Sequence, residues 1–291
     1  MGKQYRLIVD SSCDLPLEMI QYYNIGVCDL IINVGERVYR DRKDITASEI
    51  LKMYDETQVL PKTSALNIPE LEEMMSENLK EYDHIFFMPI SSKISSIYNN
   101  AHLAAQDLQV EDKVTILDSA SLSSGTGLEA LAICRDIQAG LKPDVIETNH
   151  LNRLKKIHMS FVIQTMEFLY KGGRCSGMTY LFGNTFHLHP IILLDEGKMG
   201  VHTIVKGKDI SKGVKKMLDD FLEQFNKDNI DLSYPILIPH VEGDYGVKRI
   251  EKELEPLLGE KILHPIDASG IICCHCGRDT VGLAYMLKKP L

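Results

Sequence analysis

Tryptophan is absent from the 291 residues, aromatic side chains make up only 7% of them, and no uninterrupted apolar stretch is long enough to span a bilayer. Without Trp, any internal cavity must be walled by Phe, Tyr, aliphatic side chains and the 12 methionines, whose flexible thioethers suit an adaptable lining. Positive charge is also scarce: 32 Lys and Arg face 41 Asp and Glu, a formal net charge of -9, with no basic run. That balance excludes nonspecific nucleic-acid binding and leaves at most transient membrane contact. The opening residues Met1 to Arg6 carry no apolar signal region, so a cytoplasmic protein is expected. Seven cysteines without scaffold spacing fit reduced thiols in that compartment. No Gly-x-Ser-x-Gly elbow, Gly-x-Gly-x-x-Gly turn or Walker loop occurs, which counts against a serine hydrolase, a dinucleotide enzyme and a P-loop kinase.

What is present is an ordinary globular balance, 44% hydrophobic and 25% charged, arranged as alternating apolar runs and amphipathic segments. Leu7 to Asp10, Val27 to Val34, His84 to Pro89 and Lys113 to Asp118 read as strands, with helices between them. Thr46-Ala47-Ser48-Glu49 forms a capping box, and Asn67-Ile68-Pro69-Glu70 opens another helix. This alternation predicts a doubly wound parallel sheet in a first domain over residues 1–154. Residues 155–291 differ in texture: Pro190 to Leu194 and Met199 to Val205 read as a hairpin, and Pro235 to His240, Lys261 to Pro265, Gly270 to His275 and Val281 to Met286 as strands. A second α/β domain with a mixed sheet is expected there, helices mainly on one face, a ligand lying between the two domains.

Strand ends in an open parallel sheet meet ligands, where the following helix offers unpaired N–H groups. The hydroxyl-rich turn Ser91-Ser92-Lys93-Ile94-Ser95-Ser96 lies after one such strand, and Lys62-Thr63-Ser64 is a second hydroxyl-bearing loop before a helix. Gly125 and Gly127 near the start of a long helix point to a close backbone approach. Cys273-Cys274-His275-Cys276 looks like a metal cluster. On a strand, however, alternate residues face opposite ways, so no metal is assigned and the cysteines read as core. His275 precedes Gly277 at the presumed strand end, facing the crevice. Asp10 is expected to tie its loop together by accepting backbone N–H bonds.

Val9 to Pro16, Pro61-Lys62-Thr63-Ser64, Ile90 to Ser95 with Tyr98, Lys171-Gly172-Gly173-Arg174-Cys175-Ser176 and Ile272 to Gly277, in this order along the chain, resemble the DegV family, the fatty-acid-binding subunits of bacterial fatty acid kinase. The resemblance implies a two-domain α/β fold that buries a long-chain fatty acid, with no cofactor and no catalysis of its own. A separate kinase protein then phosphorylates the carboxylate with ATP, in the service of phospholipid metabolism. It further implies that Thr63 and Ser95 bind the carboxylate, with Ser92 as a lesser candidate, that His275 lies close to the carboxyl group, and that Arg174 serves kinase engagement or phosphate handling. Ser96, Ala65-Leu66 and Arg278-Asp279-Thr280 depart from the family pattern, the last adding charge beside His275.

Burying an acyl tail at about 0.8 kcal/mol per CH₂ gives about 10 kcal/mol gross for a chain of ~15 carbons, so the tail supplies affinity and the head group orientation. Hydroxyl and N–H donors satisfy a carboxylate without a fixed cation that would hold it against transfer. The alternative is an enzyme using the same crevice on a small anionic metabolite with His275 as general base. A purely regulatory interaction protein is the third reading.

Overall fold

The structure of the chain, a computed structural model, describes residues 3–174 and 187–291. Strand β1 (Lys3–Asp10) leads through a tight polar loop to helix α1 (Leu17–Tyr22) and strand β2 (Gly26–Cys28). Strands β3 (Ile31–Val34) and β4 (Arg37–Arg40) form a hairpin, followed by α2 (Ala47–Thr57), β5 (Lys62–Ser64) and α3 (Ile68–Leu79). The expected capping box at Thr46 is made, Glu49 N donating to Thr46 Oγ1 at 3.3 Å, and Asn67 opens its helix with a second one, Glu70 N donating to Asn67 Oδ1 at 3.0 Å, each glutamate reaching back to the capping residue's N–H. Then come β6 (Tyr82–Met88), α4 (Ile97–Leu108), β7 (Val114–Ile116), α5 (Ser123–Gln138) and α6 (Pro143–Arg153), the last opened by its proline.

The later chain gives β8 (Ile157–Val162), α7 (Glu167–Lys171), the hairpin β9 (Leu188–Asp195) and β10 (Lys198–Lys206), and α8 (Ser211–Asn226). It closes with β11 (Ile236–Val241), α9 (Asp244–Leu258), β12 (Leu263–Asp267), α10 (Gly270–Cys276) and β13 (Thr280–Met286). Among the described residues no helix is long and apolar enough to cross a membrane.

The described residues form three sheets. A four-stranded sheet in the order β2-β1-β6-β7 is parallel throughout, and its continuous apolar runs are buried on both faces. A six-stranded sheet in the order β10-β9-β8-β13-β11-β12 is antiparallel except for the β11–β12 pair. Strand alternation divides its side chains. Val281, Leu283 and Tyr285 of β13 pack with Val214, Phe221, Ile250 and Leu254 of α8 and α9, whereas Ala284 and Met286 join the core shared with the parallel sheet.

Between the two large sheets lies α5, buried over nearly its whole circumference from Ser123 to Cys134. Its two glycines make that position possible. A Cβ on Gly125 would stand 3.0 Å from Met159 Cβ on β8, and one on Gly127 would stand 2.9 Å from the Asp14 carbonyl oxygen and from Leu15.

Three expectations are corrected. Val27 to Val34 is not one strand, because Ser11 N donates to Cys28 O at 2.9 Å while Ser11 Oγ accepts from Leu30 N at 3.1 Å, and the chain turns there from the parallel sheet into a third sheet, β4-β3-β5. Thr63 lies on the edge strand β5 of that antiparallel sheet, paired with Ile32, not in a loop. Gly270 to His275 is helical. Its apolar composition with two β-branched isoleucines reads as a buried strand, but the start of the segment is capped as a helix, Ser269 N and Gly270 N donating to Asp14 and Asp41 and Ile272 N to Ser269 Oγ. The last strands shift slightly as well: residues 260–262 form a 3₁₀ turn and β12 begins at Leu263.

Replacing Gly127 by Val forces α5 away from the Asp14–Leu15 backbone and is expected to cost about 2 kcal/mol or more. A denaturant midpoint equal to that of the unmodified chain would contradict the close approach.

Candidate functional site

Helix α10 carries His275 and is positioned by two buried carboxylates from the first half of the chain. Asp14 accepts from Ser269 N at 2.9 Å and Asp41 from Gly270 N at 2.9 Å, while Ser269 Oγ accepts from Ile272 N within the helix. Each carboxylate has a second donor, Ser123 Oγ at 2.6 Å for Asp14 and Ser11 Oγ at 2.7 Å for Asp41. Burial nevertheless dominates: it pushes Asp14 up to about 7 and Asp41 up to about 6 from an ordinary value of 3.8, the hydrogen bonds opposing it only in part. Gly270 leaves little room, since a Cβ would lie 2.7 Å from Asp41 Oδ1 and 2.8 Å from the Cδ1 atoms of Ile32 and Ile50 and would displace those side-chain ends.

With α10 so fixed, His275 Nε2 meets Thr63 Oγ1 of β5 at 2.8 Å. The imidazole is held neutral, pushed down to about 4 first by burial and then by the Arg174 guanidinium charge. Its Nδ1 is buried without a hydrogen-bond partner among the described residues. Gly172 closes over that edge of the ring: a Cβ there would lie 2.5 Å from Nδ1. Two residues on, Arg174 Nη1 donates back to Gly172 O at 2.7 Å, so the glycine turn holds the arginine near the imidazole. Cys175 and Ser176 of the same sequence motif lie outside the described residues.

The serine turn divides its work. Ser91 is fully buried and donates from Oγ to Gly197 O at 2.8 Å, docking the β9–β10 turn. Ser92 N donates to Asp118 Oδ1 at 3.0 Å and its hydroxyl to Asp118 Oδ2, so its proton is already committed. Ser95 is half-buried and accepts from Ile97 N at 3.3 Å, and among the described residues its hydroxyl hydrogen has no acceptor. Ser95 makes no direct bond to Thr63 or His275. The two hydroxyl segments are tied by Asn100 of α4, whose Nδ2 donates to Leu66 O at 2.8 Å just beyond β5.

Behind His275, Ile272 and Cys276 on the next face of α10 join Leu122, Met159, Phe161 and Val241 around a small apolar gap of about 10 Å³. Burial pushes the thiols of Cys273, Cys274 and Cys276 up, Cys276 to about 12, which keeps them protonated and inert. Among the described residues no three His, Cys, Asp or Glu side chains gather as a metal site. Arg278 does not add free charge beside His275: it is paired with Asp55 at 2.8 Å and Glu242 at 2.6 Å. Asp10 accepts from Ser12 N at 2.9 Å and Ile90 N at 2.8 Å, a loop-holding role.

The sequence reading did not single out Asp41, Asp118 or Gly172. Asp41 sits in Arg40-Asp41-Arg42 with no spacing to mark it, and Gly172 was visible only as half of a glycine turn.

The family model described as an uncharacterised protein, DegV family, matches residues 4–288. The chain belongs to the DegV family. Among its relatives, a DegV domain-containing protein of Clostridium perfringens is 28% identical over 97% of this chain and 98% of its own, and one of Clostridium acetobutylicum is 25% identical over 98% and 99%. A solved structure described as fatty acid binding of a DegV family protein from Thermus thermophilus superposes with a TM-score of 0.88 at 26% identity, covering 98% of this chain and 100% of that one. The fold is shared also with DegV of Bacillus subtilis, TM-score 0.81 at 22% identity over 99% of this chain and 100% of that one.

Because Asp14 and Asp41 titrate higher in the folded chain than unfolded, the folded state binds more protons between about pH 4 and pH 7, and stability falls as pH rises through that window. Melting temperature is expected to decrease from pH 5 to pH 8, with a shallower slope in Asp41→Asn. An unchanged slope in that variant would remove Asp41 as a cause.

Proposed function

We propose that the protein binds a long-chain fatty acid and presents its carboxylate to a separate ATP-dependent kinase, without catalysing a reaction itself. The observation that carries this reading is the neutral Thr63–His275 pair beside an apolar seam, in a chain that matches the Thermus fatty-acid-binding structure along nearly its whole length. With the proton on Nε2, His275 donates to Thr63 Oγ1, which leaves the hydroxyl hydrogens of Thr63 and Ser95 as the donors to the carboxylate. Ser92, with its hydroxyl turned to Asp118, holds the turn rather than the ligand.

Neutral donors fix the carboxylate without neutralising it, so an oxygen keeps its nucleophilicity. In the kinase step that oxygen bonds to the γ-phosphorus of ATP, the bridging P–O bond to the β-phosphate breaks, and ADP leaves with the electron pair. The acyl tail runs along Ile272 and Cys276 into the seam between the halves 1–154 and 155–291. The gap there is only about 10 Å³, so loading separates the walls and moves Met159 and Phe161. An imidazole with a pKa near 4 is a weak base at neutral pH, which disfavours the alternative of His275 as general base on a small metabolite.

Thr63→Ala combined with Ser95→Ala is expected to lose the bound lipid. Native mass spectrometry of the purified double variant checks this, and a stoichiometric fatty acid still attached would refute the carboxylate assignment.

A further inference from the structure

Four polar side chains of α5 and α6 form a network behind the serine turn. Glu129 of α5 is fully buried, and His150 of α6 is 1% exposed. Arg153, three residues further along α6, donates to Glu129 Oε1 at 2.9 Å from Nη2, to both Glu129 oxygens from Nε, and to Asp136 Oδ2 at 2.8 Å from Nη1. With three guanidinium contacts on it, Glu129 is the acceptor of the network. His150 Nδ1 lies 3.1 Å from Glu129 Oε1, and Nε2 lies 3.1 Å from the Asp118 carbonyl oxygen. Both groups facing the ring are acceptors, so each ring nitrogen donates.

The ring thereby holds the loop on which the serine turn rests. Asp118 stands two residues beyond β7, and its carboxylate accepts from Ser92 N at 3.0 Å, from Ala120 N at 3.0 Å and from the Ser92 hydroxyl. Ser121 O accepts from Ser91 N at 2.9 Å. Inside the turn, Ser91 O accepts from Ile94 N at 2.9 Å and from Ser95 N at 3.1 Å, so residues 91–95 move with the loop that supports them. That loop is strained: Ala120 sits at φ 45°, in the left-handed region that a Cβ disfavours, and such a shape persists only where surrounding bonds hold it. The bond that reaches Asp118 O from α6 comes from His150 Nε2.

We propose that His150 is a positioning residue for the carboxylate site: its Nε2–H fixes Asp118, and through Asp118 the turn that aims Ser95 Oγ at the ligand. The proposal rests on the fatty-acid reading above and adds the support that holds its serine in place. His150 stands behind the turn and is not itself a ligand contact. Its two nitrogens do separable work, Nδ1 anchoring the ring on the Glu129–Arg153 pair and Nε2 passing that anchorage to Asp118. If the ring only packed a buried ion pair, neither nitrogen would matter more than the other to the ligand.

Glutamine and asparagine separate the two nitrogens, because a glutamine amide reaches where Nε2 stands and an asparagine amide only as far as Nδ1. The full chain, His150→Gln and His150→Asn are titrated with palmitate and melted in parallel. Both variants break a buried charged network and are expected to melt several degrees lower. Palmitate affinity is expected to stay within about 3-fold in His150→Gln and to fall about 10-fold or more in His150→Asn, the loss one hydrogen bond accounts for. Equal losses, no loss, or a larger loss in His150→Gln overturns the proposal. If either variant fails to fold, nitrogen NMR of the unmodified ring decides: a protonated Nε2 whose resonance moves on adding palmitate upholds the link, and a bare Nε2 or an unmoved resonance ends it. If the unmodified chain binds no palmitate, the fatty-acid reading fails, and hydrogen exchange at the Ser92 and Ala120 amides decides the positioning alone. Faster exchange in His150→Asn than in His150→Gln upholds it, and equal rates end it.

Discussion

Two carboxylates buried in the first half of the chain hold the start of the helix that carries His275. Asp14 and Asp41 accept the N–H groups of Ser269 and Gly270, donors that a short helix leaves unpaired. Because both acids come from loops around the parallel sheet and its small antiparallel neighbour, the position of His275 is set from across the molecule. Thr63 reaches the imidazole only because β5 belongs to that same neighbouring sheet. The hydrogen bond between them thus reports the register of the two halves.

Charge is distributed with a consistent logic. Around the Thr63–His275 pair the polar groups are neutral, burial keeping the imidazole unprotonated, whereas cations are held back to the rim at Arg174, Lys93 and Lys198. Arg278, which the sequence set beside His275, is drawn away into a surface pair with Asp55 and Glu242.

Helix α5 serves as the common wall. Its glycines let one face touch β8 and another touch the Asp14–Leu15 backbone, so the parallel sheet and the six-stranded sheet share a single core. Ser123 at its start also donates to Asp14, linking the packing of the wall to the carboxylate that seats α10. Fold and site therefore rest on the same few residues.

The sequence by itself determined the alternation of strands and helices, the capping box at Thr46 and the helix start at Asn67, the hairpin and the close approach at Gly125 and Gly127, since each is written in local periodicity or in a residue type with one steric use. Of the candidate site, the hydroxyl-rich turn with Ser92 and Ser95, the Thr63 segment, the glycine turn with Arg174 and His275 stand out in the sequence, while the roles given to them came from the resemblance to the DegV family. The sequence did not reveal Asp41, Asp118 or Gly172, whose importance comes only from what lies opposite them. The run Gly270 to Cys276 shows the division most clearly. Six small or apolar residues and His275 suit a buried strand or a buried helix equally, and Asp14 and Asp41, more than 200 residues away along the chain, accept the N–H groups that a helix leaves unpaired at its start.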